Sequence, residues 1–160
     1  MTAVVVADAS PLIAFQQIGQ LHLVHALFTE VNVPPAVARE IQLSVPSVSW
    51  IVERPLTQPI APLPLRASLG AGESEALSLA VEMRATRLLV DERAARRAAG
   101  AIGLSVIGTL GALLAAKRKG LVAEIQPLVT ELLRQGFWVS PRLVRQALLA
   151  ADEVIRGPIG

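Results

Sequence analysis

The sequence predicts an α/β fold in which helices cover both faces of a central parallel sheet. Short apolar runs typical of strands alternate with helical patterns along most of the 160 residues. Apolar residues make up 52% of the chain, enough to build one substantial core at this length. We therefore expect a single domain at residues 1–155, followed by a flexible tail at 156–160.

The first half of the chain predicts strands and helices in alternation, followed by a proline-rich segment. Ser10 and then Pro11 are typical of a helix N-cap and first turn. Closely spaced prolines predict a long surface loop over 44–65, in which only Trp50 to Glu53 could form regular structure. The expected elements before this loop are a strand at 3–7, a helix from Ser10 that continues over 21–28, a strand at 30–33 and a helix at 35–41.

Alternation resumes at Gly70 and continues to the C-terminus. The expected elements are helices at 73–83, 92–99, 109–119, 122–135 and 141–155, with strands at 87–90 and 104–107. The last two helices carry more apolar surface than one small sheet requires. They are therefore expected either to cap the sheet or to form an interface, and we predict a homodimer.

Two of the three aspartates, Asp8 and Asp91, directly follow apolar strand-like runs. In an open parallel sheet the carboxyl ends of the strands border the ligand crevice, so both carboxylates should lie at the same edge. Carboxylates gathered at one edge predict a site for a hard metal ion.

Three glutamates are candidates to join these aspartates. Glu73 shares a helix face with apolar residues and should point toward the sheet, whereas Glu75 shares a face with Ser78 and Glu82. We expect Glu75 to close a capping box in its own helix. Glu40 lies late in its helix, at the unfavourable end of the helix dipole, which invites a functional explanation. A solvated surface position explains Glu40 equally well.

Arginine dominates the basic residues, although the formal net charge is only +2. Arg93, Arg96 and Arg97 have the spacing of one helix face and follow Asp91 directly. Grouped in this way they suit a phosphate-bearing substrate. Any one of them could instead be a solvated residue or an ion-pair partner of Glu92.

Several other chemistries are excluded or disfavoured. The absence of cysteine excludes disulfides, thiolate zinc sites and thiol catalysis. His22 and His25 have helical spacing, but no third ligand lies nearby and their apolar surroundings favour packing. No export signal or membrane span is evident, so we expect a cytoplasmic protein.

Five segments together resemble the PIN domain, in the subfamily akin to VapC-type toxin ribonucleases. They are Val6 to Ile13, Pro35 to Glu40, Gly70 to Ala80, Leu88 to Arg93 and, similar to a poorly characterised branch, Gly103 to Lys119. The resemblance implies a three-layer α/β/α sandwich and cleavage of RNA that depends on Mg²⁺ or Mn²⁺. It also implies a small antitoxin protein as a partner.

By position in these motifs, four acids match the metal-binding set of the family. They are Asp8, Glu40, Glu73 and Asp91, with Ser10 as the polar residue that supports the first acid. The third acid is commonly aspartate in the family, and Glu75 competes with Glu73 for that place. In the fourth motif, either Asp91 or Glu92 could be the ligand.

Two other functions remain open from the sequence. A PIN scaffold could bind nucleic acid or a partner protein without cutting, because a fold does not guarantee activity. A phosphoacceptor receiver domain would also place an aspartate after the first strand and a threonine such as Thr109 later. That interpretation is disfavoured because no lysine follows a later strand.

Overall fold

The computed structural model describes residues 3–58 and 69–157. Its strands are β1 (Val5–Ala7), β2 (Val31–Val33), β3 (Ile51–Glu53), β4 (Arg87–Leu89) and β5 (Val106–Ile107). They form one sheet in the order β3-β2-β1-β4-β5, and every neighbouring pair is parallel. This sheet confirms the predicted fold class, a parallel α/β/α sandwich.

Eight helices flank the sheet within the described residues. They are α1 (Ala9–Gln17), α2 (Leu21–Phe28), α3 (Pro35–Ile41), α4 (Ala71–Glu82), α5 (Arg93–Ala101), α6 (Thr109–Arg118), α7 (Gln126–Arg134) and α8 (Pro141–Ala150). None of the helices in these two ranges combines the length and hydrophobicity needed to cross a membrane.

Strands β1 and β2 are buried over their full length, because helices cover a parallel sheet on both faces. In β1, Val6 pairs with Asn32 and Ala7 pairs with Leu89. The backbone N–H of Asp8 donates to the carbonyl of Leu89 at 2.9 Å, and that of Val90 donates to the carbonyl of Ile107 at 3.0 Å. The ends of β1, β4 and β5 are therefore aligned, and the residues that follow them share one edge of the sheet.

The first helix begins earlier than we expected from Ser10 and Pro11. Helix α1 starts at Ala9, and Asp8 takes the N-cap position with an extended backbone. Ser10 is exposed inside the first turn and is not the N-cap. The strand therefore runs into the helix with Asp8 as the only residue between them.

The proline-rich segment contributes one of the two edge strands of the sheet. Within the predicted loop, Ile51–Glu53 forms β3 and pairs with β2 in register over all three residues. This strand lies within Trp50 to Glu53, where the sequence analysis allowed regular structure. Residues 59–65 of the expected loop lie outside the described residues.

The two C-terminal helices are shorter than predicted because a buried glutamate connects them. Glu153 is 8% exposed, and its carboxylate accepts hydrogen bonds from the backbone N–H groups of Ile125 and Gln126, at 2.7 and 2.9 Å. Its Oε2 also forms a 2.9 Å ion pair with Lys117. Helix α7 consequently starts at Gln126 rather than 122, and α8 ends at Ala150 rather than 155.

The hydrogen bonds at Glu153 also affect its protonation. Burial alone would raise the pKa of this carboxyl, but the hydrogen bonds from Ile125, Lys117 and Gln126 hold the pKa below its usual value. Arg156, which we expected in the flexible tail, is attached to the same region. Its backbone carbonyl accepts from the Gln126 side chain at 2.6 Å, and its guanidinium pairs with Glu124. Residues 158–160 of the expected tail lie outside the described residues.

We predict that Glu153→Ala lowers the free energy of unfolding by about 3 kcal/mol, because two buried backbone N–H groups lose their acceptor. Urea unfolding at neutral pH measures this loss. Asp152→Asn is the matched control, since Asp152 is exposed and adjacent in sequence. An equal effect of both substitutions would show that Glu153 does not hold the start of α7.

Candidate functional site

Asp8 lies at the centre of the carboxyl edge of the sheet. It follows the middle strand β1 and is only 3% exposed. Its pKa is raised from 3.8 to about 7, chiefly by burial, and the carboxylates of Glu73, Glu40 and Asp91 raise it further. The backbone N–H of Ala9 partly opposes this rise. Three other acids therefore lie close enough to Asp8 to repel its charge.

Glu40 reaches this edge from the end of α3 and meets Asp8 beside the first turn of α4. The Cδ atom of Glu40 and the Oδ1 atom of Asp8 each lie 3.3 Å from the position that a Cβ would take on Gly72. The two atoms are therefore no further apart than twice that distance. Burial raises the pKa of Glu40, and the carboxylate of Glu73 raises it further. Gly72 makes this approach possible because it has no side chain.

The structure places Glu73, rather than Glu75, beside the other acids. Glu73 turns back over the start of α4, with its Oε2 atom 2.5 Å from the position of a Cβ on Gly70. It raises the pKa values of both Asp8 and Glu40. Glu75 instead accepts a 3.0 Å hydrogen bond from the backbone N–H of Ala36. The prediction of a capping box was therefore wrong. The Glu75 carboxylate binds the backbone of α3 rather than the start of its own helix.

Asp91 is held at the same edge by the start of α6. Its Oδ1 accepts from the backbone N–H of Thr109 at 2.7 Å, and its Oδ2 accepts from the Thr109 hydroxyl at 2.6 Å. Asp91 Oδ1 and Arg96 Nη1 lie 2.9 and 3.3 Å from the position of a Cβ on Gly108. Burial raises the pKa of Asp91, although the Thr109 hydrogen bonds and the charge of Arg96 lower it in part.

Thr109 is the site residue that the sequence analysis did not assign. It is fully buried and binds both oxygens of Asp91. The available signal was its position two residues after β5, at the same edge as Asp8 and Asp91. A threonine in the first turn of a helix is common, so this signal alone does not distinguish a site residue from a local one.

The remaining candidate residues lie on the exposed surface around the acids. Ser10, Glu92, Arg93, Arg96 and Arg97 are all exposed. Among the three arginines, the charge of Arg96 acts on Asp91. For the fourth acid, the geometry favours Asp91 over Glu92, because Asp91 acts on Asp8 and is bound by Thr109.

The prediction that both histidines pack among apolar residues holds only in part, because both are exposed on α2. The His25 ring stacks on Trp50 with 4.9 Å between ring centroids, and its Nδ1 lies 2.7 Å from the carbonyl of Thr29. His22 is exposed on the same helix.

Four carboxylates at one edge have the donor chemistry that Mg²⁺ and Mn²⁺ prefer. In the ranges 3–58 and 69–157, however, no three side chains of the metal-binding types form a ready-made cluster. Carboxylates repel one another when no cation lies between them, and both oxygens of Asp91 are bound to Thr109. The residues fit a divalent ion by type and location, and the long side chains of Glu40 and Glu73 would have to turn toward it.

We predict that Asp8→Asn stabilises the metal-free protein at about pH 8, by up to about 4 kcal/mol. Unfolded Asp8 ionises near 3.8, whereas folded Asp8 ionises near 7, so its ionisation opposes folding as pH rises through this interval. The difference between variant and wild type should fall below about 1 kcal/mol at about pH 4, where folded Asp8 is protonated and unfolded Asp8 is only partly ionised. Urea unfolding in chelator at both pH values measures it. A variant less stable than the wild type at the higher pH would contradict the burial argument.

Comparison with known proteins agrees with this arrangement. A family model described as a PIN domain matches residues 4–153. No curated protein matches the chain. The match spans nearly the full sequence and includes every described strand and helix and all four acids. The chain belongs to the PIN-domain family.

Proposed function

We propose that this protein is a divalent-metal-dependent endoribonuclease that uses Mg²⁺ or Mn²⁺. PIN domains are in general a nuclease fold, and the chain is a member of that family. The observation that carries the proposal is Asp8, a buried carboxyl with a pKa of about 7 that is surrounded by three further carboxylates. Such a group is unfavourable for folding, and a bound cation would relieve the repulsion.

We assign the metal to Asp8, Glu40, Glu73 and Asp91. A bound ion would polarise the scissile phosphate and lower the pKa of an attacking water, so no nucleophilic side chain is needed. Asp8 is placed to lose its proton when a cation arrives, because its pKa lies near neutrality. Asp91 keeps a fixed orientation, because Thr109 donates to both of its oxygens. Glu92 and Ser10 take supporting roles beside the fourth and first acids.

The substrate in this proposal is single-stranded or loop RNA. Arg93, Arg96 and Arg97 are exposed on α5, which begins two residues after Asp91. Guanidinium groups bind phosphate oxygens with good geometry, so these side chains suit an RNA backbone that enters the acidic edge. The same surface could receive an acidic segment of a protein.

We further propose that the protein is the cytoplasmic toxin of a toxin-antitoxin pair. This part rests on the resemblance of its motifs to VapC-type ribonucleases. The partner would be a small antitoxin whose C-terminal segment covers the acidic pocket. A neighbouring gene that encodes such a protein would support this role.

One observation favours a second candidate, a PIN scaffold that binds nucleic acid or protein without cutting. Within the described part of the chain, no three acids already form a metal-binding cluster. A site that has lost its metal could keep the arginine surface and the sheet edge for binding alone.

Asp8→Asn should abolish RNA cleavage while the protein stays folded and RNA binding persists. Asparagine keeps the size of the side chain but removes a charge that a divalent ion needs. The measurement is cleavage of mixed single-stranded RNA by purified protein with Mg²⁺ or Mn²⁺, beside RNA affinity in chelator. RNA affinity could rise, since one negative charge leaves the binding edge.

Asp152→Asn provides the matched control for cleavage. Asp152 is the third aspartate of the chain and is exposed beside the end of α8. Its substitution should leave cleavage unchanged. Absence of cleavage by the wild type with either metal, together with equal RNA binding by wild type and Asp8→Asn, would favour the scaffold function.

The proposal includes a homodimer formed through the C-terminal helices. Trp138 is 86% exposed before α8, and Leu149 is 68% exposed near its end, so this region carries apolar surface that a second copy could cover. Light scattering at micromolar concentration should give twice the monomer mass of 16.9 kDa. A monomer mass at that concentration would remove the dimer from the proposal.

A further inference from the structure

Glu75 connects the helix that carries the third acid to the helix that carries the second. Glu75 lies one turn after Gly72 on α4, and its Oε1 accepts a 3.0 Å hydrogen bond from the backbone N–H of Ala36 in α3. Ala36 is only 4% exposed, so water has little access to that N–H group. A buried N–H without an acceptor would cost about 1–3 kcal/mol.

Helix α3 has no other cap at this position. It has seven residues and begins after Pro34, whose side chain cannot accept a hydrogen bond. Pro35 has no N–H to donate, and the N–H of Ala38 already bonds to the carbonyl of Pro34. Ala36 therefore presents the first free N–H of the helix, and Glu75 supplies from α4 the cap that α3 lacks.

Two contacts one helical turn apart determine how α3 and α4 lie against each other. At one end of α3, Ala36 bonds to Glu75, and four residues later the Glu40 carboxylate rests against Gly72. The partners follow in opposite order along the two helices. A shift of α3 along α4 would break the hydrogen bond and would also move Glu40 away from Gly72 and Asp8.

We propose that Glu75 is a positioning residue for the metal site, acting through Glu40. Its bond to Ala36 fixes the position of α3 along α4, and that position places the second acid beside the first. This inference rests on the proposed metal-dependent function. Glu75 itself touches neither the metal nor the substrate in this assignment.

The first measurement needs no catalytic activity. Amide hydrogen exchange of Ala36 in metal-free buffer should be slow in the wild type and fast in Glu75→Ala. Glu75→Gln retains an acceptor oxygen and should keep most of the protection. Unchanged exchange in Glu75→Ala would show that the bond is not formed in solution.

The second measurement is Mn²⁺ affinity, determined by calorimetry in a double-mutant cycle. Glu75→Ala should weaken Mn²⁺ binding about tenfold or more, as expected when the partner that orients a ligand is lost. Glu75→Gln should restore most of the affinity. If Glu75 acts through Glu40, adding Glu75→Ala to Glu40→Gln should cause little further loss.

The matched control is Glu82→Ala. Glu82 lies on the same helix and also accepts bonds from backbone N–H groups, but these belong to Thr57 and Gln58, beyond β3, rather than to α3. This control should leave Mn²⁺ affinity unchanged. An equal loss of Mn²⁺ affinity from Glu82→Ala would overturn the inference. So would a loss from Glu75→Ala that is the same in the wild type and in Glu40→Gln, because Glu75 would then only stabilise the fold in general.

The outcomes separate this inference from the proposed function. A wild type that binds Mn²⁺ but cuts no RNA would overturn the nuclease proposal alone, and the cycle would still decide the role of Glu75. A wild type that binds no Mn²⁺ would overturn both.

Discussion

The rest of the site depends on the repulsion among carboxylates that the fold brings to one edge of the sheet. In a parallel sheet each strand leads into a helix, so the positive N-terminal ends of the helices face the same edge as the strand exits. Asp8 lies at the start of α1, Glu73 lies in the first turn of α4, and Asp91 binds the first residue of α6. Three helix starts therefore offset part of the repulsion.

The helix starts do not cancel all of the repulsion, because the pKa values of Asp8, Glu40 and Asp91 are all raised. Asp91 has both a hydroxyl and a backbone donor in Thr109, whereas buried Asp8 has the backbone N–H of Ala9 to oppose the effect of burial. Burial therefore raises the pKa of Asp8 to about 7. Ionised Asp8 destabilises the fold, and a cation bound only by the folded state would restore that stability. Burial of Asp8 among other carboxylates thus destabilises the fold and, for the same reason, favours a cation at this edge.

Sequence reasoning succeeded where a local pattern determines the outcome. Asp8 and Asp91 were placed by the strands before them, and Glu73 was separated from Glu75 by the direction of helix faces. Sequence reasoning failed where a residue far away in the chain determines the local structure. Glu153 determines where α7 begins, and the only trace of this in the sequence is an acid near the C-terminus. Thr109 and the bond from Glu75 to Ala36 likewise depend on contacts between elements far apart in the chain.

Glu40 differs from the other three acids in the way it reaches the site. Asp8 and Asp91 follow strands, and Glu73 stands in the first turn of a helix beside the sheet, so the sheet itself places them. Glu40 stands at the sixth residue of α3, where no strand end and no favourable helix dipole hold it. Its position follows from the packing of α3 on α4, with Glu75 at one end and Gly72 at the other. Tertiary packing therefore brings the last of the four acids to the site. Both α3 and α4 contribute to the site, although each supplies only one of these acids.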